Sequence, residues 1–305
     1  MSAGPPILVT GAHRSGTTWV GRMLALAPGV AYILEPFNPK RPKGLSPAGF
    51  DRYFTVVTAE NERRYRSGLE RTLALRYDLG VQLRCARTWR DVVRIPRDYQ
   101  RLRAARHAGG RPLVKDPIAL LSAEWLAQSF GMQVVVLIRH PAAFAASLKR
   151  LGWEHSFATF FDDGRLPEVL RPYETEIREQ VERPGEILAQ AALLWRLLYG
   201  VVAGYRDRHP EWVFLRHEDA SLDPLGTFER LYDHLDLAFT AKARREIERA
   251  TAPDNPIELT SPHAVELHSA ASIGRWREQL TAKEVETLRE RTRDVWPRFY
   301  SNDDW

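Results

Sequence analysis

Ile7-Leu-Val-Thr-Gly-Ala-His-Arg-Ser-Gly-Thr-Thr-Trp19 is an apolar run that breaks into two glycines and a cluster of hydroxyls, then resumes with helical spacing. A strand, a tight turn and a helix in that order form a phosphate cradle, because the turn's N–H groups and the positive end of the helix face one point. Gly11 and Gly16 permit the turn, and Thr17 and Thr18 add hydroxyl donors. Working outward, further strand-like runs lie at 30–34, 112–115, 133–138 and 212–215. Helix-period segments lie near 16–27, 119–129, 141–151, 185–207, 223–235 and 281–296. Near-continuous apolar strands alternating with helices predict an α/β fold, a central parallel sheet flanked by helices. Ligands then gather at the carboxyl ends of the strands.

The chain of 305 residues, 44% of them hydrophobic, is read as one domain spanning 1–305 with an arginine-rich insertion at about 38–108. That insertion is a candidate lid or acceptor wall. Between Arg63 and Arg106 thirteen arginines face four acids, and the net charge of +5 favours anionic ligands. The same stretch also reads as a solvated helical face. No nucleic-acid motif accompanies the charge, so nucleic acid is not an expected partner. One cysteine, Cys85, excludes an internal disulfide and a cysteine-rich metal site. No stretch reads as the ~20 apolar residues of a membrane helix. The N-terminus lacks the features of a secretory signal, so a cytoplasmic protein is expected. The sequence is silent on oligomeric state.

A second phosphate site is expected where the run 133–138 ends in Arg139-His-Pro141, with Pro141 suited to open a helix and Ser147 eight residues beyond Arg139. An arginine there can grip a phosphate through two hydrogen bonds and the serine can add another. On its own, an arginine ending a strand is as readily a salt bridge. Two separated grips suit a nucleotide phosphorylated at both its 5′ and 3′ positions. The first loop is nearly Gly-x-x-x-x-Gly-Lys-Ser/Thr, but Thr17 stands where the lysine that reaches ATP's phosphates belongs. That counts against a kinase, the nearest chemical alternative. A non-catalytic nucleotide receptor is the alternative from another class.

Arg14-Ser-Gly-Thr-Thr-Trp19, Arg139 with Ser147, Glu35-Pro36 and Lys115-Asp-Pro117 together resemble the sulfotransferases that use 3′-phosphoadenosine-5′-phosphosulfate (PAPS). The bacterial, carbohydrate and tyrosylprotein types are closer than the cytosolic small-molecule type. The resemblance implies a 5′-phosphosulfate loop of Arg14, Ser15, Gly16, Thr17 and Thr18, with Arg14 beside the bridging oxygen. It implies that Trp19 stacks on adenine, for which a core position is the rival reading. Arg139 and Ser147 would hold the 3′-phosphate. The late Arg-Lys-Gly element of small-molecule members is missing, and Ser272-Ile-Gly-Arg-Trp276 stands in its region, with Ser272 a donor-site candidate.

Lys115 resembles the lysine near the transferring group, and a salt bridge to Asp116 is its alternative role. Pro117 occupies the position of the small-molecule members' histidine base. Glu35-Pro36 resembles the segment that carries the base in tyrosylprotein and several carbohydrate members, which implies Glu35 as general base, with an ion pair to one of the many arginines as its alternative role. His13, His140 and His217 are outside candidates, more simply read as packing residues, and Arg216-His-Glu-Asp219 reads as a structural strand-to-helix corner. The resemblance implies a hydroxyl acceptor, with a glycan or other polyhydroxyl compound expected, and no metal.

Overall fold

The structure, a computed structural model, describes residues 4–40, 44–45, 47–86, 88–256 and 269–305. The chain begins with β1 (Ile7–Gly11), α1 (Thr17–Leu24) and β2 (Val30–Leu34). The arginine-rich insertion carries α2 (Arg66–Leu73), α3 (Leu79–Cys85) and α4 (Trp89–His107). Then follow β3 (Arg111–Lys115), α5 (Ala123–Phe130), β4 (Gln133–Ile138), α6 (Pro141–Leu151), α7 (Glu174–Glu182) and α8 (Ile187–Arg208). The remainder comprises β5 (Val213–Arg216), α9 (His217–Leu222), α10 (Pro224–His234) and α11 (Ala241–Thr251), then α12 (Ser269–Ser272), α13 (Trp276–Gln279) and α14 (Ala282–Arg291).

All five strands run parallel in the order β2-β3-β1-β4-β5. Alternate side chains of the inner strands feed two cores. Leu8, Val114, Val134 and Val136 point into a core with Leu194, Trp195 and Leu198 of α8. Ile7, Val9, Leu113 and Val135 point into the other, with Val20 of α1 and Phe228 of α10. Every residue of β1 and β3 is buried, which is why Ile7-Leu-Val9 and Pro112-Leu-Val114 are apolar without alternation.

The chain leaves β1 for β2 and β3 on one side and then crosses to β4 and β5 on the other. The carboxyl ends of β1 and β4 therefore form the switch point where an open α/β sheet binds ligands. Gly11 pairs with Leu137 in that register, at φ 144. A Cβ at Gly11 would lie 2.4 Å from the Leu137 carbonyl oxygen.

Some expectations shift. Asp116 caps a 3-10 turn over Pro117–Ser122, so α5 starts only at Ala123. The last long helix stops at Arg291, ahead of Trp296-Pro297. The loop expected at 253–262 is turn-like at 253–255, and 257–262 lie outside the described residues. The expectation that no stretch matches a membrane helix overlooks α8. Among the described residues it alone is long and apolar enough, and 67% of its apolar window is buried inside the protein. It is apolar because it lies between α6 and the rest of the core, with Leu194, Trp195 and Leu198 wholly out of water.

Gly11→Ala should destabilise the fold by about 2–4 kcal/mol through overpacking and backbone strain at β1/β4. Denaturant unfolding measures it, and a loss well under 1 kcal/mol would contradict this close approach.

Candidate active site

The loop after β1 is tied to itself: Ser15 Oγ donates to the Ala12 carbonyl at 2.6 Å, and Ser15 N–H donates to the same oxygen at 3.2 Å. Arg14 (φ 66) and Gly16 (φ 93) both take left-handed backbone. A Cβ on Gly16 would stand 2.6 Å from His217 Cδ2, so a glycine is what lets the loop lie against α9. No side chain caps α1, and its first N–H groups remain as donors beside Thr17, which is buried, and Thr18, which is half-buried. The Trp19 ring meets Phe228 edge-on at 5.4 Å and lies 6.0 Å from His217.

On the β4 side, Arg139 and Ser147 come together with Arg14. The Arg14 Nε donates to Ser147 Oγ at 3.1 Å, and Arg139 Nη1 donates to the Arg14 carbonyl. The Arg139 backbone is clamped from α8: its N–H donates to the Tyr199 hydroxyl at 3.1 Å and its carbonyl accepts from Trp195 Nε1 at 2.9 Å. The Arg139 Nε is buried without a hydrogen-bond partner. Burial, with the neighbouring charges of Arg139 and Arg150, pushes the Arg14 guanidinium down to about 10. Burial also lowers Arg139. Among the described residues no carboxylate forms an ion pair with any of these three arginines. Glu218, the acid whose field reaches Arg139, accepts from His140 N–H at 3.0 Å and from the Tyr300 hydroxyl at 2.9 Å. Burial raises its pKa, which favours its neutral form. The balance of charge here favours a bound anion.

On the other side of β1 the ends of β2 and β3 meet. Lys115 Nζ lies 2.6 Å from Glu35 Oε1, with side-chain exposures of only 3% and 13%. Glu35 Oε2 accepts from Asn38 Nδ2 at 2.9 Å. Glu35 sits at φ 50, a conformation costly outside glycine, and its N–H donates to the Lys115 carbonyl at 2.8 Å. The lysine stem runs over Gly21 of α1, where a Cβ would come within 3.0 Å of Lys115 Cγ. Lys115 therefore pairs with Glu35, and the alternative bridge to Asp116 is not what the structure contains. Asp116 turns inward instead, accepting from Phe37 N–H at 2.7 Å and from Ile118 N–H at 2.9 Å. Burial pushes its pKa up to about 7. Asp116 and Asn38 thus hold the segment bearing Glu35. Sequence reasoning gave neither this role, although Asp-Pro at a helix start is a capping signal.

The three histidines are packing residues. Burial takes His13, His140 and His217 each down to about 3, too weak for a base at neutral pH. His140 caps α6 and stacks on Trp276, with 5.1 Å between ring centres, while His217 places Nδ1 3.3 Å from the Ser221 hydroxyl. Arg216 ends β5 and His217 starts α9, the corner expected there. Ser272 donates to the Ser269 carbonyl at 2.7 Å, on a short helix lying against α9. Among the described residues no hydrogen bond joins its hydroxyl to Arg139 or Ser147. Among the described residues, no three His, Cys, Asp or Glu side chains gather as a metal-binding group.

The profile of the Sulfotransferase family matches residues 5–241. No curated protein sequence matches the chain. Among solved structures, the sulfotransferase domain of the Synechococcus PCC 7002 olefin synthase is 18% identical with a TM-score of 0.48, covering 95% of this chain and 94% of that one. Sulfotransferase STF1 from Mycobacterium tuberculosis H37Rv is 19% identical with a TM-score of 0.46, covering 96% and 78%. Mouse sulfotransferase SULT7A1, complexed with PAP, is 12% identical with a TM-score of 0.45, covering 100% and 88%. With a glycine turn between β1 and an uncapped helix, a cationic group at the switch point and a match over most of its length, this chain belongs to the sulfotransferase family and is a sulfuryl-transferring enzyme.

Proposed function

We propose that PAPS is the donor and that the acceptor is a hydroxyl of a glycan or another polyhydroxyl compound. The observation that carries the donor assignment is the group Arg14, Arg139 and Ser147, cationic and without a paired carboxylate, beside an uncapped helix N-terminus. The residues fit a nucleotide with two phosphates. Arg139 and Ser147 would hold the 3′-phosphate, and the first N–H groups of α1 with Thr17 and Thr18 would hold the 5′-phosphosulfate. PAPS supplies a sulfuryl group on a phosphate leaving group. Arg14, bound to the Ser147 hydroxyl and carried by the loop, stands between the two grips, where its charge stabilises the leaving phosphate. In this reading Arg14 and Lys115 supply the charge stabilisation, and a metal ion is not required.

Glu35 takes the proton of the acceptor hydroxyl. Its two oxygens are held by Lys115 Nζ and Asn38 Nδ2 at the carboxyl end of β2, where the ligand crevice of an α/β sheet opens. Lys115 and Asn38 keep it oriented. The polyhydroxyl acceptor rests on the arginine excess between Arg63 and Arg106 and on the Glu35-Pro36 segment.

Arg139→Ala should weaken binding of adenosine 3′,5′-bisphosphate by roughly 1.5–3 kcal/mol, and Ser147→Ala by less. Calorimetry with adenosine 5′-phosphate as the second ligand should give a much smaller loss. Equal losses for both ligands would refute the 3′-phosphate assignment.

Glu35→Gln keeps an acceptor for Lys115 and removes the base, so transfer should slow by roughly 10²–10⁴-fold with bisphosphate affinity little changed. A stopped-turnover assay beside the same calorimetry distinguishes the outcomes. Undiminished turnover, or affinity lost in step with rate, would make Glu35 a structural partner of Lys115. Wild-type binding of donor without transfer to any hydroxyl would favour the receptor reading.

A further inference from the structure

Nine large hydrophobic side chains are exposed among the described residues, and five of them fall within residues 79–93: Leu79, Leu83, Trp89, Val92 and Val93. Trp89 is 71% exposed, Val93 64% and Leu83 59%. Their spacing is helical. Leu79 and Leu83 are one turn apart on α3, and Trp89, Val92 and Val93 share one side of α4. At about 100° per residue, Ile95 and Leu102 lie well round the helix from that side, and these are the α4 residues buried in the core. Arg94, Arg97 and Arg101, all exposed, form a row along the flank of the apolar stripe.

We infer that α3 and α4 form a docking surface for an anionic lipid bilayer, with the apolar stripe at the acyl boundary and the arginine row on the headgroups. An amphipathic helix with a tryptophan on its apolar side and arginines beside it suits that interface. Charge complementarity selects the occupant: eight arginines against two acids between residues 79 and 106 would repel a second copy and attract anionic lipid. A bilayer also conforms to a stripe on a convex helix, where no matching groove is required. Arg101 donates to the Tyr32 carbonyl at 3.3 Å, tying α4 to β2, the strand that leads to Glu35. Docking therefore sets the acceptor side of the site near the membrane. That consequence rests on the catalytic reading of Glu35; the docking itself does not.

Sedimentation of the full chain with phosphatidylcholine vesicles, with and without a quarter phosphatidylglycerol, tests it. The chain should bind the anionic vesicles, release them in high salt and leave the neutral ones. The double substitution Trp89→Ser, Val93→Ser should weaken binding about tenfold. Arg94→Gln with Arg97→Gln should weaken it about thirtyfold. Circular dichroism should be unchanged, since all four positions are exposed; should the apolar pair lose helix, the arginine pair and the salt release carry the test. No binding to anionic vesicles, or equal binding by folded variants, would overturn the proposal. So would a dimer in light scattering that the apolar pair dissolves, which would assign this face to a second copy.

Discussion

A lysine and a glutamate 2.6 Å apart at the carboxyl ends of two neighbouring strands, both nearly out of water, constrain each other and much around them. Withdrawing two such charges from solvent costs several kcal/mol each, and removing one strands the other, so the pair persists only where the surroundings hold it in place. Here the backbone does much of that. β2 pairs with β3 so that Leu34 stands opposite Lys115, Gly21 leaves a channel for the lysine stem, and the Asp116 carboxylate anchors the segment after Glu35 through Phe37 N–H. The left-handed backbone at Glu35 is part of the same arrangement.

Across β1 the electrostatics have the opposite character. Arg14, Arg139 and Arg150 act on one another without a paired acid among the described residues, and Glu218 is turned toward His140 and Tyr300. One side of the loop thus carries charges already matched, suited to moving a proton, while the other carries cations suited to holding an anion. Neighbouring strands lie about 4.8 Å apart, so the ends of β3 and β4 stand about 10 Å apart with the loop between them. In the proposed reading, that separation would let a single nucleotide donor reach both groups.

Much of the fold was legible because parallel strands buried on both faces are written as apolar runs. All five were placed to within a residue or two, and α6 was placed at 141–151 with Pro141 opening it. The charged helices of the insertion were not, since the α4 side chains that pack inward, Ile95 and Leu102, are too sparse to mark a core face. α8 was recognised as a helix without its apolarity being weighed. In the site, Arg139 and Ser147 followed from a spacing along one strand and helix. The Lys115 to Glu35 contact did not, because the two are 80 residues apart and meet only through the strand order. Likewise the place of Trp19 in the loop is read from sequence, whereas the contact of its ring with Phe228 of α10 is not.

The division between matched and unmatched charge is tested most directly by a crystal structure of the chain with adenosine 3′,5′-bisphosphate. The account predicts the 3′-phosphate within hydrogen-bonding distance of Arg139 and Ser147, the 5′-phosphate on the first N–H groups of α1, and Lys115 still beside Glu35. A bisphosphate bound with its phosphates reversed, or lodged against Lys115 with Arg14 and Arg139 untouched, would contradict it.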